Sequence, residues 1–209
     1  MEYSYGNWLL VLINVTIFLV FVFTGFKPRS RTDWSTFNMF AAFIVSLFAE
    51  MYGFPLTIYL LVSFFGRWFP NLNFTHSSGH LLIDLFGFKG DPHTNFIHLL
   101  SNIFIFGGLV LLSNAWKILY RANQKDKIAD SGIYRYVRHP QYTAFILIIF
   151  GFLLQWPTII TLTMAPILIF RYIRLSQSEE KYMIEKFGQS YINYQKNTSQ
   201  FVPLFRKLV

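Results

Sequence analysis

Between Asp130 and Tyr194 this 209-residue chain gathers one histidine, a pair of adjacent glutamates, well-placed arginines and several tyrosines. The first block reads Ser131-Gly132-Ile133-Tyr134-Arg135-Tyr136-Val137-Arg138-His139-Pro140-Gln141-Tyr142. The second contains Arg174, then Glu179-Glu180, then Phe187-Gly188-Gln189-Ser190-Tyr191-Ile192-Asn193-Tyr194. Pro140 suits the first turn of a helix, where the N–H it lacks would have no intrahelical partner. Arg138 and His139 then precede a helix at its positive end, where exposed amides favour a carboxylate or phosphate. Residues 141–170 carry no charge and are broken by Pro157, after Trp156, and by Pro166. A turn at Trp156-Pro157 returns the second block to the face of the first. His139, Arg138, Arg174, Glu179, Glu180 and the tyrosines can then converge on one interfacial pocket.

The elements that must position these groups are membrane helices. The composition is 54% hydrophobic and 20% aromatic with only 13% charged residues, against about 25% charged in soluble domains. Spanning a bilayer takes roughly 20 apolar residues as a helix. Residues 8–26, 95–116 and 141–170 are free of formal charge, and 37–65 contains only Glu50. The runs are apolar all round, as lipid exposure demands. The first lacks a basic leader and a small-residue cleavage site, so it reads as a retained helix. The expected fold class is all-α: a polytopic integral membrane helical bundle of about five transmembrane helices, the last two forming a C-terminal hairpin. Two regions are expected: 1–116, with three helices and an outer loop over 66–94, and 117–209, with the hairpin and a cytosolic C-terminal segment.

Lys and Arg are distributed unevenly, three between the first two runs, two in 66–94, six in 117–140 and seven after Phe170. The positive-inside rule puts the groups of three, six and seven in the cytoplasm. The N-terminus is then outside, and the C-terminus and the pocket are cytoplasmic. The hairpin is required by this count, because a single crossing would strand seven basic residues outside. Its two arms, each about 20 Å at 1.5 Å per residue, are short for a core of roughly 30 Å. A net charge of +8 serves anionic headgroups at the helix ends and needs no nucleic acid. Cysteine is absent, which excludes disulfides, thiolate metal ligands and cysteine nucleophiles.

The Gly-x-Tyr-x-x-x-Arg-His-Pro-x-Tyr block, the hairpin, the Glu-Glu pair and Phe-Gly-x-x-Tyr-x-x-Tyr together resemble the isoprenylcysteine carboxyl methyltransferase and phospholipid methyltransferase superfamily. The resemblance runs from about Lys117 to Phe205. It implies that S-adenosylmethionine binds on the cytosolic side of the hairpin and that a lipophilic acceptor enters from the bilayer. Carried onto this chain, it implies that His139, Pro140 and Tyr142, with Arg138 before them, shape the cofactor site, that Tyr134 and Glu180 lie near it, and that Arg174 and Glu179 face the acceptor. One position departs from the pattern: Ala144 stands where members often have glycine. Methyl transfer by direct displacement needs little beyond alignment of the reacting atoms and no metal. Arg174 would position a carboxylate acceptor, and Glu179 would take the proton of an amine or thiol. A membrane NADPH-dependent sterol or enone reductase, a transporter gated by Glu50 and a structural membrane subunit stand as alternatives.

Two features lie outside these blocks. Glu50 is an ionisable group in the middle of a membrane run, which implies a function and a partner. His98 and Asn102, a helical turn apart, are the expected partners, and the three are expected to line the acceptor cavity or to fix helix packing. His76, His80 and His93, with Asp84 among them, fall in the outer loop. There they read as headgroup-level histidines, and no metal ligands are assigned.

Overall fold

The computed structural model describes residues 5–25, 31–68 and 72–203. Among them the α-helices are α1 (Trp8–Gly25), α2 (Arg31–Phe48), α3 (Leu56–Phe65), α4 (Leu81–Leu85), α5 (Phe96–Gln124), α6 (Pro140–Gln155), α7 (Ile159–Phe187) and α8 (Gln189–Asn197). The chain is an all-α membrane helical bundle. Trp34–Gly53, α5 and α7 are long and apolar enough to cross a bilayer, and α1, α3 and α6 are shorter apolar helices. Large apolar side chains cover the outside of the bundle, among them Leu9, Ile17, Ile103, Phe106 and Val110, each at least 60% exposed. Such a surface is compatible with lipid and costly in water.

The run 37–65, expected as one crossing, is divided. α2 loosens into a π-helical turn over Ala49–Gly53, Phe54 is extended (φ −126°, ψ 116°), and α3 starts after Pro55. Proline cannot donate to the helical ladder and pushes the residue before it out of the helical region. Glu50 answers this break. It is 4% exposed, and its Oε2 accepts the Thr57 N–H at 2.7 Å. That N–H is one of the orphan donors in the first turn of α3. Thr57 Oγ1 in turn accepts the Ile159 N–H at 2.9 Å, tying the start of α3 to the start of α7.

The closest helix pair is α5 against α6. A Cβ on Gly108 would meet Ile148 Cγ1 at 2.6 Å and the Ala144 carbonyl oxygen at 3.0 Å. One on Gly151 would meet Ile105 Cγ1 at 2.7 Å and the Ser101 carbonyl oxygen at 2.9 Å. Small residues let membrane helices approach until backbones touch, gaining dispersion contacts that lipid would otherwise supply. Ala144 is fully buried in this seam, so its methyl group is accommodated because Gly108 faces it. On the other flank, aromatic rings join α1, α2 and α6: Phe40–Phe145 at 5.0 Å, Phe18–Phe152 at 5.3 Å and Phe48–Phe152 at 5.8 Å between centroids.

The hairpin forms as expected, with a longer second arm. α6 ends at Gln155, and the Trp156 N–H still reaches the Phe152 carbonyl at 2.8 Å. Thr158 and Thr161 then form a reciprocal capping box that starts α7. α7 continues for 29 residues, well past Phe170, so its polar last third projects beyond the apolar arm and carries Glu179 and Glu180. Pro166 inside it deprives only the Leu162 carbonyl of its partner, which a membrane helix tolerates.

Candidate active site

Three segments meet at the open end of the hairpin. The first is the turn before α6. Gly132 has φ +57°, so the backbone here favours glycine, and a Cβ would only push against the mobile end of Ile118, 2.7 Å away at Cδ1. The 3₁₀ turn that follows, Gly132–Arg135, buries Tyr134, whose hydroxyl donates to Gln141 Oε1 at 2.9 Å. The second segment is the polar end of α7. The third is α8 with its tail, folded back by Gly188 at φ +55° and ψ −132°. The Tyr194 hydroxyl donates to the Tyr134 carbonyl at 2.6 Å. Val137 and Ser199 form a parallel bridge, and the N–H groups of Arg138 and His139 donate to the carbonyls of Ser199 and Gln200 at 2.8 and 3.1 Å.

Arg138, His139, Glu179 and Glu180 form one charge cluster. Arg138 Nε donates to Glu180 Oε1 at 2.8 Å, and its Nη1 donates to the carbonyls of Gln195 (3.0 Å) and Thr198. His139 Nε2 lies 3.0 Å from the same Glu180 Oε1. Gln195 Nε2 donates to Glu180 Oε2 at 2.8 Å. His139 Nδ1 is 3.4 Å from Glu179 Oε2, an electrostatic contact outside good hydrogen-bond geometry. The Tyr142 hydroxyl donates to Glu179 Oε1. The two carboxylates differ in access: the Glu180 side chain is 10% exposed and that of Glu179 is 41% exposed. Glu180 is thus a buried anchor, while Glu179 stands at the mouth. Behind them is an aromatic stack, His139–Tyr142 at 5.8 Å, Tyr142–Tyr172 at 5.6 Å and Phe145–Tyr172 at 5.4 Å. The Tyr172 hydroxyl is buried without a hydrogen-bond partner among the described residues.

Burial alone drives the His139 imidazole toward its neutral form, but its contacts with Glu179 and Glu180 outweigh burial and raise its pKa above the ordinary value. A raised histidine pKa contributes stability that is full below the unfolded-state value, about 6.5. That contribution is lost as pH rises through the folded-state value. Thermal melting of the detergent-solubilised chain should therefore show stability declining from about pH 6 toward alkaline pH. His139→Gln should flatten that slope, and an equal slope in the variant would show that His139 does not carry it.

The structure brings Tyr134, Arg138, His139, Pro140, Tyr142, Glu179 and Glu180 into this one cluster. Arg174 stands apart. It is exposed, with its guanidinium 5.8 Å from the Phe170 ring centroid. Five helical steps lead from it to Glu179, which turns the two about 140° apart around α7. Glu50 takes the Thr57 amide through Oε2, its Oε1 is buried without a hydrogen-bond partner, and among the described residues no hydrogen bond joins it to His98 or Asn102. His98 instead lies among the outer-loop histidines, 5.1 Å from His80 between ring centroids, and Asn102 is half-buried on α5. Sequence reasoning missed Gln195, Thr198, Gln200 and Tyr172. Gln195 directly follows the second motif and was within reach. The tail residues act through their backbone carbonyls, for which side-chain type gives no signal.

Residues 99–190 match the family model described as phospholipid methyltransferase. An 85-residue segment is 27% identical to Protein-S-isoprenylcysteine O-methyltransferase of Schizosaccharomyces pombe, covering 40% of this chain and 36% of that protein. The chain thus aligns with little more than a third of that relative's length. No solved structure matches the chain significantly.

Proposed function

Over residues 99–190 the chain belongs to the phospholipid methyltransferase family, and from that premise we propose that it is an integral membrane methyltransferase that uses S-adenosylmethionine on a lipophilic or membrane-associated acceptor. The observation that carries this reading is the joining of Arg138, His139, Glu179 and Glu180 at the open end of a membrane hairpin, backed by the Tyr142–Tyr172 stack. These groups suit the cofactor's chemistry. A sulfonium is a cation, which aromatic faces and carboxylates attract. His139, Pro140, Tyr142 and Tyr134 would line the site, and Arg138 and Glu180 would hold its walls together. The bound cofactor supplies an electrophilic methyl group.

Glu179 is the group of the cluster placed to act on an acceptor, being half-exposed and oriented by Tyr142. It would remove the proton of an amine or thiol as the new bond forms. Arg174, further round α7, would meet the charged part of an acceptor rather than its reacting atom. A groove of ≈ 470 Å³ lies between α2 and α7, lined by Trp34, Asn38, Met39 and Met164 among others. The basic residues around both motif blocks support a cytoplasmic site and C-terminus with an outside N-terminus.

Detergent-purified chain should bind labelled S-adenosylmethionine saturably and ignore NADPH, and it should label one of a panel of prenylcysteine, phosphatidylethanolamine and small-thiol acceptors. Binding of NADPH in its place would overturn the reading in favour of a membrane reductase, and a folded chain that binds neither would favour a transporter.

A further inference from the structure

At the opposite end of the bundle, one ring nitrogen from each of His76, His80 and His93 lies within 4.8 Å of the others. Two separate pieces of backbone bring them together: His76 opens and His80 closes the 3₁₀ turn His76–Gly79, and His93 sits in the turn Pro92–Thr94 just before α5. The tip of the hairpin closes over them, with Trp156 4.5 Å from the His76 ring and 5.1 Å from the His80 ring.

The hydrogen bonds set the tautomers. His76 Nδ1 is 3.2 Å from the Met51 carbonyl, His80 Nδ1 is 3.0 Å from the Gln155 carbonyl, and His93 Nδ1 is 2.9 Å from Asp91 Oδ1. A carbonyl or carboxylate oxygen can only accept, so each Nδ1 carries the proton and each Nε2 carries the lone pair. This is the outer-sphere arrangement of metal-binding histidines, in which the far nitrogen donates to a carbonyl or carboxylate and the near one is made a better ligand. A second observation points the same way. His80 Nε2 is buried with no hydrogen-bond partner among the described residues, and so is the Nδ1 of neighbouring His98, whose ring is 5.1 Å from His80 and 5.3 Å from His93. A buried lone pair without a donor is costly and calls for an occupant.

We propose that His76, His80 and His93 bind one divalent transition-metal ion of the zinc class through Nε2, with the fourth position open to His98 or water. Imidazole-only coordination suits zinc, whose Zn–N distance is about 2.0–2.1 Å in tetrahedral sites, and small ring rotations bring the nitrogens in to that range. Burial and the neighbouring imidazoles hold His80 far below the ordinary histidine value, at about 3. Burial lowers His76 as well. The ion ties the loop before α5, the end of α2 through Met51, and the hairpin tip through Gln155. It serves as a structural pin at the far end of the hairpin from the methyl-transfer cluster.

The test uses untagged, full-length protein in detergent, stripped with chelator and titrated with zinc sulfate, with metal content read by mass spectrometry. One zinc per chain is expected, with a rise in melting temperature on binding. His80→Gln and His93→Gln should each weaken zinc by on the order of 100-fold, and Asp91→Asn by roughly 10-fold. The His93 side chain is 50% exposed, so its variant should fold without metal and separate lost binding from misfolding. A cooperatively melting wild-type chain that takes up no stoichiometric zinc would overturn the site, as would undiminished zinc binding in His93→Gln.

Discussion

Arg138→Ala is expected to weaken S-adenosylmethionine binding by on the order of 100-fold or more, while the chain remains an intact membrane bundle. The guanidinium holds Glu180 and the carbonyls of Gln195 and Thr198 at once. It therefore joins the turn before α6, the end of α7 and the tail after α8. Its side chain is only 10% exposed. Removing one partner of a buried pair costs up to roughly 3–5 kcal/mol, lessened here because His139 and Gln195 still hold Glu180, and 1.4 kcal/mol is tenfold in affinity. The loss falls on the cofactor wall, since the apolar packing of α5 against α6 does not involve this residue. Arg138→Lys should recover only part of the binding, because a single ammonium cannot address a carboxylate and two carbonyls in a planar fork. The measurement is titration of labelled cofactor beside limited proteolysis of the tail. Affinity within roughly threefold of wild type, the scale of a neutral surface change, would show that the guanidinium does not organise the site.

Gly151→Val is expected to produce the largest loss of stability, with Gly107→Ala as its control. A Cβ at position 151 would sit 2.9 Å from the Ser101 carbonyl oxygen, which is backbone and cannot rotate away, as well as 2.7 Å from Ile105 Cγ1. α5 and α6 would have to separate along their whole shared seam. Overpacking of a close-packed interior typically costs about 1–3 kcal/mol, and two extra methyl groups beyond the Cβ place this variant at the upper end. Gly107, one residue from the seam glycine of α5, has nothing within 4 Å of its hypothetical Cβ. Alanine there should be neutral or slightly stabilising, since glycine costs a helix about 0.5–1 kcal/mol relative to alanine. Thermal unfolding in detergent reads both. Equal melting temperatures for the two variants would mean that the seam relaxes more easily than its geometry implies.

Arg138 stood out in the sequence because it lies between a glycine-led turn and a proline-led helix, and because Glu180 follows a run of apolar residues just long enough to turn back. Local rules sufficed there: proline starts helices, Trp156-Pro157 ends one, and charge-free length implies lipid. The same rules identified the membrane bundle and the hairpin. They also predicted one crossing over 37–65 while passing over Pro55, whose lost N–H splits the run and turns Glu50 from a cavity-lining group into a cap for α3. The full length of α7 was hidden because hydropathy registers only the apolar arm, whereas the helix continues wherever backbone ladders and i, i+4 contacts persist.

By itself, then, the sequence determined the solvent, the helical class and the chemical types gathered in the two motif blocks, because composition and spacing act through neighbours in the chain. Only the tertiary structure decided which of those groups touch. It separated Glu179 from Arg174, since a helix turns by about 100° per residue and five steps carry a side chain to another face. It recruited Gln195 and the carbonyls of Thr198, Ser199 and Gln200, since any residue can offer a backbone oxygen. And it assembled His76, His80 and His93 from two turns that no sequence period links. Their meeting depends on the hairpin tip and the end of α2 supplying the acceptors that orient their rings.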